Sequence, residues 1–410
     1  MGCCDVTGLM PLEEGLNRLL SAVTPGTDVE TVPLTDALGR VTATPIQAQA
    51  PVPGFDNSAM DGYAIRLADL KNDQVLPLQG KAMAGQPFEG SVEPGHCIRI
   101  MTGAPVPEGC DAVVMQENTE VLDAGIRFLE TPKPGNNIRR AGEDIEPGQE
   151  VIAANRRLKP VDLALIASVG CAEINVYRRV KVGLFSTGDE VRQPGEALRY
   201  GDLYDSNRPV IRALLDRLDV DILDLGTIPD DREAVRDAFL RADVDCDFVV
   251  TSGGVSVGEA DYTKEILAEL GEIEFWKLAI KPGKPFAFGR LPNSWFIGLP
   301  GNPVSATVTF HLLGAQAIRQ FQGTGPRPLP RLTAKATTDL RKSPGRMDFQ
   351  RGQWTTTENG IEVTPSGRGQ GSHILTSLAD ANCYIALEQD RGNVKAGEEV
   401  TLWLFDDLMA

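Results

Sequence analysis

From Val180 onward, short apolar runs alternate with amphipathic stretches: KVGLFSTGDE, NRPVIRALLDRL, VDILDLGTIPDD, REAVRDAFLRA, CDFVVTSGG, YTKEILAELG, FAFG and WFIGLPGNPVSATVTFHLL. This change of hydrophobic period reads as strand, helix, strand, helix. Repeated βαβ units predict a mostly parallel, doubly wound α/β sheet with helices on both faces, and such sheets hold ligands in the loops beyond the strands' carboxyl ends. Upstream the pattern differs. LPLQG, HCIRIMTGAP, DAVVMQENTEV and GIRFLE are short strands punctuated by Gly and Pro, predicting a small β-rich domain over residues 51–139. The amphipathic helix from Leu12 to Val23 and the KPVDLALIASVG helix flank it and are grouped in a discontinuous domain of residues 8–50 and 140–177. The α/β domain then covers 178–325. After Gly323, GTGPRPLPR reads as a linker, and LTAKAT, DFQRGQW, GIEVTP, NCYIALE and EEVTLWLF read as strands of a C-terminal β-barrel over 326–410.

Composition narrows the function. The 410 residues, 42% of them apolar, exceed what one core accommodates. A formal net charge of -17 repels phosphate backbones and anionic membranes, so no nucleic-acid or membrane binding by overall charge is expected, and any anion site must be a local basic cluster. The seven cysteines are scattered, odd in number and form no C-x-x-C pair, which fits a reduced, cytoplasmic setting. His96, His311 and His373 lie too far apart in sequence for an ordinary zinc site, leaving carboxylates and phosphates to hold any metal. MGCCDVTGLM shows no secretory pattern, and Val6 stands where a myristoylation signal needs a hydroxyl, so a soluble protein without a lipid anchor is expected.

The chemistry sits in the loops after strands. TSGGVSVGEADY, Thr251 to Tyr262, carries Gly253, Gly254 and Gly258 ahead of a helix. Such a loop is either a tight βα turn or a phosphate cradle; Asp261 at its mouth, able to hold a phosphate-bound magnesium, favours the cradle. STGDE brings Glu190 and PDD brings Asp230 to the same sheet edge, whereas Asp231 reads as a helix cap. Three carboxylates there repel one another unless a metal or protons intervene. KLAIKPGKP sets Lys277, Lys281 and Lys284 around a Pro-Gly turn, as anion ligands or as a solvated turn, and GLPGNPVSA is a cradle or a plain turn into a helix. PGFDNSAMDGYA carries Asp61, IRIMTGAPVP carries Thr102, and NIRRAGEDI supplies Arg139, Arg140 and Asp144, where paired arginines serve either a domain salt link or an oxyanion.

Seven of these blocks, all but PDD, taken together and in order along most of the chain, resemble the MoeA family of molybdenumtransferases, related to the E domain of gephyrin. The resemblance implies four domains, one of them a MogA-like α/β domain, in an elongated homodimer with a shared active site. It implies adenylylated molybdopterin and molybdate as substrates, with Mg(2+). Motif by motif, it places Asp61 and Thr102 on the side contributed by the partner subunit and Glu190, Asp230, Asp261, Lys277 and Lys281 in the α/β cleft, with Arg139 and Asp144 lining it too. Glu190, Asp230 and Asp261 become the magnesium ligands. Ser186, Thr187, Gly188, Ser252, Gly253, Gly254, Ser256, Gly258, Lys284, Pro300 and Pro303 become substrate contacts, and SGRGQGSH, Ser366 to His373, reaches the pterin from across the cleft. Asp61 acts as acid/base or as an orienter. An upstream adenylyltransferase and recipient molybdoenzymes are the expected partners. Two rivals stand beside this reading. An adenylyltransferase built on the same α/β domain would not need Asp61 and Thr102 in a separate domain, and a scaffold would leave the charged cleft without a purpose.

Overall fold

The computed structural model describes residues 8–70, 75–253, 262–358 and 360–410. The chain divides into two compact units, Thr31–Val176 and the remainder, Met1–Glu30 with Tyr177–Ala410.

The smaller unit holds a four-stranded sheet ordered Leu78–Ala82, Cys97–Ile100, Gly62–Ile65, Ala112–Met115, and a three-stranded sheet of Val75–Leu76, Gly125–Phe128 and Thr119–Leu122. Ile65, Leu76, Cys97, Val114 and Ile126 fill one apolar cluster of these sheets, and Ala82, Ile98, Ile100 and Val113 fill another. A separate cluster of Val32, Ile46, Ile152, Leu158, Ile166, Ile174 and Val176 gathers around the helix Pro160–Ser168. That helix starts with Pro160 at its first turn, where a missing N–H costs nothing, and Asp162 accepts the Lys159 N–H at 2.9 Å.

In the larger unit, β1 (Lys181–Thr187), β2 (Asp221–Ile228), β3 (Phe248–Ser252), β4 (Glu272–Lys277), β5 (Pro285–Arg290) and β6 (Trp295–Leu299) form a sheet ordered β2-β1-β3-β6-β5-β4. The β2-β1-β3-β6 pairings are parallel, while β5 runs antiparallel to both neighbours. The strand EIEFWK of β4 is absent from the pattern-based reading; it carries the charges of Glu272, Glu274 and Lys277, as an edge strand does. Both faces are covered, which is why β1 and β3 read as continuous apolar runs. Val182, Leu184, Phe248 and Val250 pack towards the helix Asn207–Arg217 and the helical run beginning at Pro303; Phe185 and Val249 pack towards Arg232–Asp245 and Tyr262–Leu270. Asp231 caps Arg232–Asp245 by accepting the Ala234 N–H at 2.9 Å, as its position predicts.

The helix Leu12–Ala22 departs from the sequence-based grouping. Leu12, Leu19 and Val23 join the cluster of Val180, Leu215 and Phe310, so this helix belongs by packing to the α/β unit rather than to the discontinuous segments of the smaller one. Its apolar stripe is complementary to that core, and burial favours whichever core accepts it.

The C-terminal strands β7 (Arg331–Ala336), β8 (Met347–Thr357), β9 (Gly360–Pro365), β10 (Cys383–Leu387) and β11 (Glu399–Leu404) close into a five-stranded barrel ordered β8-β9-β7-β11-β10, with β10 pairing back to β8. Val363, Ile385, Val400 and Leu402 fill its interior. The described cysteines, Cys97, Cys110, Cys171, Cys246 and Cys383, are free thiols. Among the described residues no helix is long and apolar enough to cross a membrane.

Candidate active site

Strands β2 and β3 lie on opposite sides of β1, so the strand order reverses between β1 and β3 and their carboxyl edge is the place where such a sheet binds ligands. A cleft of about 660 Å³ occupies this edge. Of the residues predicted from sequence, Ser186, Thr187, Gly188, Glu190, Asp230, Ser252, Gly253, Pro300 and Pro303 line it. Gly253 takes φ +92°, and a Cβ there would come within 2.9 Å of the Thr187 carbonyl oxygen, so the loop after β3 can press against β1 only with glycine. Ser186 pairs with Ser252 across β1 and β3. The Ser186 hydroxyl is buried with no protein partner among the described residues. A buried, unpaired hydroxyl facing a cleft is a donor awaiting an acceptor.

The acidic side is set by the loops after β1 and β2. The Asp230 N–H donates to Asp189 Oδ1 at 3.0 Å, which holds these loops together and crowds their carboxylates. Burial first, and then the charges of Asp189 and Glu190, raise the Asp230 carboxyl above its ordinary value against an opposing hydrogen bond from Asp189. Among the described residues no group of three or more His, Cys, Asp or Glu is arranged to hold a metal by itself. Asp261, Gly254, Ser256 and Gly258 lie outside the described residues.

A second constellation forms in the smaller unit, where three sequence blocks knot together. The Gly103 N–H donates to the Ser58 carbonyl, Ser58 N–H to that of Ala104, and Ala59 N–H to that of Asn137. Arg139 pairs with Asn57 in a short antiparallel ladder, and the Asp144 N–H bonds the Val52 carbonyl at 3.0 Å. Asp56 accepts from the Ala141 N–H at 2.9 Å and from the Arg140 guanidinium, so Arg140 serves as an internal link while Arg139 stays exposed. Inside this knot, Asp61 Oδ1 accepts both the backbone N–H of Thr102 at 2.7 Å and its hydroxyl at 2.8 Å. These two bonds, the backbone one first, hold the Asp61 carboxyl below its ordinary value.

Comparison with known proteins gives this geometry a family. Residues 10–170 match the model of the MoeA N-terminal region (domain I and II), residues 183–320 that of a probable molybdopterin binding domain, and residues 333–405 that of the MoeA C-terminal region (domain IV). The chain is 48% identical over 404 residues to a protein named molybdopterin molybdenumtransferase from Haemophilus influenzae, covering 98% of this chain and 100% of that one. The chain belongs to the MoeA family. Membership makes it an enzyme, a transferase of molybdenum cofactor biosynthesis. It is also similar to gephyrin of Dictyostelium discoideum, at 30% identity over 96% of this chain and 62% of that protein. The fold agrees with that of a solved MoeA protein of Pyrococcus horikoshii, at TM-score 0.82 and 29% identity, over 97% of this chain and 100% of that one.

Not every residue carried over from the MoeA resemblance reaches the cleft. Among the described residues that line it, Lys277, Lys281 and Lys284 are absent. Lys277 ends β4, exposed; Lys281 donates to Asp348 of the barrel at 3.2 Å; the Lys284 carbonyl accepts the Leu278 N–H. Ile280–Lys281 adds itself as a short strand to β8, and this spreads lysines that are neighbours in sequence. Arg139 and Asp144 sit with Asp61 in the smaller unit. Conversely, Asn207 lines the cleft without having been singled out by the sequence, where it reads as the start of an amphipathic helix; the Asp205-Ser206-Asn207 turn ahead of that helix is the signal that could have marked it. His373 also lines the cleft, carried there by the segment whose Ser372 carbonyl accepts the Val304 N–H at 3.1 Å.

Proposed function

We propose that this enzyme inserts molybdenum from molybdate into adenylylated molybdopterin and releases AMP. The observation that carries the reading is the make-up of one cleft: hydroxyl donors and a glycine loop on β1 and β3, a helix start at Pro303, and the crowded Glu190 and Asp230 facing them. Donors of this kind suit phosphate oxygens, and the raised Asp230 carboxyl suits a hard cation that removes its repulsion from Asp189 and Glu190.

In this reading Ser186, Ser252 and the glycine-loop amides bind the phosphates, and Glu190 and Asp230, with Asp261, would hold Mg(2+). The cation would neutralise charge gathered by phosphate and molybdate. Lys277, Lys281 and Lys284 contribute positive potential to the same anions, and Arg139 and Asp144 orient the substrate. The two dithiolene thiols of the pterin form Mo–S bonds and give up their protons to one molybdate oxo ligand, which leaves as water, while a second water hydrolyses the phosphoanhydride and AMP departs. Asp61, kept ionised by Thr102, accepts a proton or orients the attacking group. The proposal includes a cytoplasmic homodimer of four-domain chains, with Asp61 and Thr102 serving the cleft of a second copy, fed by an adenylyltransferase and emptied by molybdoenzymes.

The test is AMP release from purified protein given adenylylated molybdopterin and magnesium, with and without molybdate, with molybdenum in the product measured in parallel. AMP release dependent on molybdate supports the proposal. Formation of adenylylated pterin from ATP and molybdopterin, without AMP release from the adenylylated form, overturns it in favour of an adenylyltransferase.

A further inference from the structure

We propose that Asn207 is a positioning residue: it ties the end of β3 to the loop after β6 and turns the Ser252 hydroxyl into a donor for a substrate phosphate. The proposal rests on the reading that the cleft takes a phosphorylated pterin.

Asn207 is the first residue of its helix and is only 8% exposed. Its Nδ2 donates to the Gly301 carbonyl at 2.7 Å and to Ser252 Oγ at 2.6 Å. A carbonyl only accepts, so the amide nitrogen must face Gly301, and the orientation of the amide is fixed by chemistry. The second hydrogen of the same nitrogen then goes to Ser252 Oγ. A hydroxyl has one hydrogen, and with Oγ accepting from Asn207 that hydrogen is left to donate along the cleft that Ser252 lines. Ser186, opposite in register, presents the second hydroxyl, buried and with no protein acceptor among the described residues. Two hydroxyls on adjacent strands of one sheet face make a paired donor for anionic oxygen.

The clamp works because its own base is rigid. Asp205 Oδ1 accepts the N–H groups of Asn207 at 3.1 Å and Arg208 at 3.0 Å, and Asp205 is itself buried. The helix start is therefore held by its own turn, and Ser252 and Gly301 are what Asn207 fixes from it. The Gly253 N–H bonds the Leu299 carbonyl at 3.2 Å, so the ends of β3 and β6 already touch and Asn207 adds a second tie between Ser252 and Gly301.

The experiment uses the full-length chain and four variants: Asn207→Asp, Asn207→Ala, Ser252→Ala and the Asn207→Ala/Ser252→Ala pair. Amide hydrogen exchange of the ligand-free proteins comes first. Asn207→Ala should speed exchange of the Gly253 amide on the order of tenfold while the barrel strands stay unchanged, since the tie through Asn207 adds about one net hydrogen-bond energy to the protection of that amide. Unchanged protection at Gly253 overturns the clamp. Binding of molybdopterin is then measured by titration calorimetry. Asn207→Ala and Asn207→Asp should each weaken it on the order of tenfold, the latter although the side-chain volume is kept, because a carboxylate cannot donate to Ser252 Oγ and instead accepts its hydrogen. On the Ser252→Ala background the Asn207→Ala change should fall below about twofold. An equal loss on both backgrounds overturns the role assigned to the hydroxyl. In turnover, KM should rise with kcat little changed, as for an interaction made in ground and transition states alike. If the parent protein binds no molybdopterin, the functional reading fails, while the exchange result still decides whether Asn207 ties Ser252 to Gly301.

Discussion

One carboxylate oxygen of Asp61 receives both donors of Thr102, its backbone N–H and its hydroxyl, across 41 positions of sequence. This double acceptance keeps Asp61 ionised to lower pH than an ordinary aspartate. Thr102→Val retains the backbone donor and removes the hydroxyl, so the Asp61 carboxyl should titrate at higher pH. The acidic limb of the pH-activity profile should move up with it, and kcat should drop about tenfold. Asp61→Asn should cost on the order of a hundredfold in molybdenum insertion. An acidic limb that stays in place in Thr102→Val would show that another group titrates there.

The loops carrying Glu190 and Asp230 store repulsion. Asp230 is raised, so its favourable contribution to folding is complete at low pH and disappears as pH rises through the raised value. Glu190→Gln removes one repelling charge. At neutral pH the ligand-free variant should melt a degree or two higher than the parent while inserting less molybdenum, the usual opposition of stability and site chemistry. Added magnesium should raise the Tm of the parent more than that of Glu190→Gln. A lower Tm for the variant would mean that Glu190 is a structural partner rather than a strained one.

Asp243 holds the turn between β5 and β6. Its buried carboxylate accepts the N–H groups of Asn293 at 3.0 Å and Ser294 at 2.9 Å, the Ser294 hydroxyl at 2.7 Å and the Asn293 amide at 3.0 Å. Asp243→Ala leaves the N–H and hydroxyl of Ser294 buried and unmatched while Asn293 turns to solvent, and should cost about 3 kcal/mol in urea unfolding. A loss under about 0.5 kcal/mol would place the turn under the control of its backbone alone.

The C-terminal tail is anchored through a buried network. Asp406 accepts from Arg319 at 2.9 Å and lies 3.0 Å from His311 Nε2, while His311 Nδ1 meets the Tyr384 hydroxyl at 3.1 Å. Burial pushes the Asp406 carboxyl up, but His311 and Arg319 outweigh it and hold the group well below the usual carboxylate range. The stability it contributes is present above the unfolded aspartate value and is lost as pH falls through the depressed one. Asp406→Asn should therefore lower Tm at neutral pH and flatten its acid dependence below about pH 4. A variant with a parent-like acid limb would exclude Asp406 as the source.

The chain's text already carries the alternation of periods that makes the α/β sheet and the five apolar strands of the barrel, because the pattern of burial along a strand or helix is local. It also carries the glycine at position 253, which the close approach to Thr187 requires, and Asp231 as a helix cap. Recognisable blocks mark Asp61, Thr102, Glu190 and Asp230 as candidate site residues, but not what each one touches. Only the tertiary structure decides that Leu12–Ala22 joins the α/β core, that Lys281 turns to Asp348, that Asp61 meets Thr102 and that Asn207, 45 residues before Ser252, reaches its hydroxyl. Such contacts depend on strand register and on which core accepts an apolar stripe. Both are set by the free energy of the whole packed molecule, and a period of two or of 3.6 is the same whichever neighbour it finally meets.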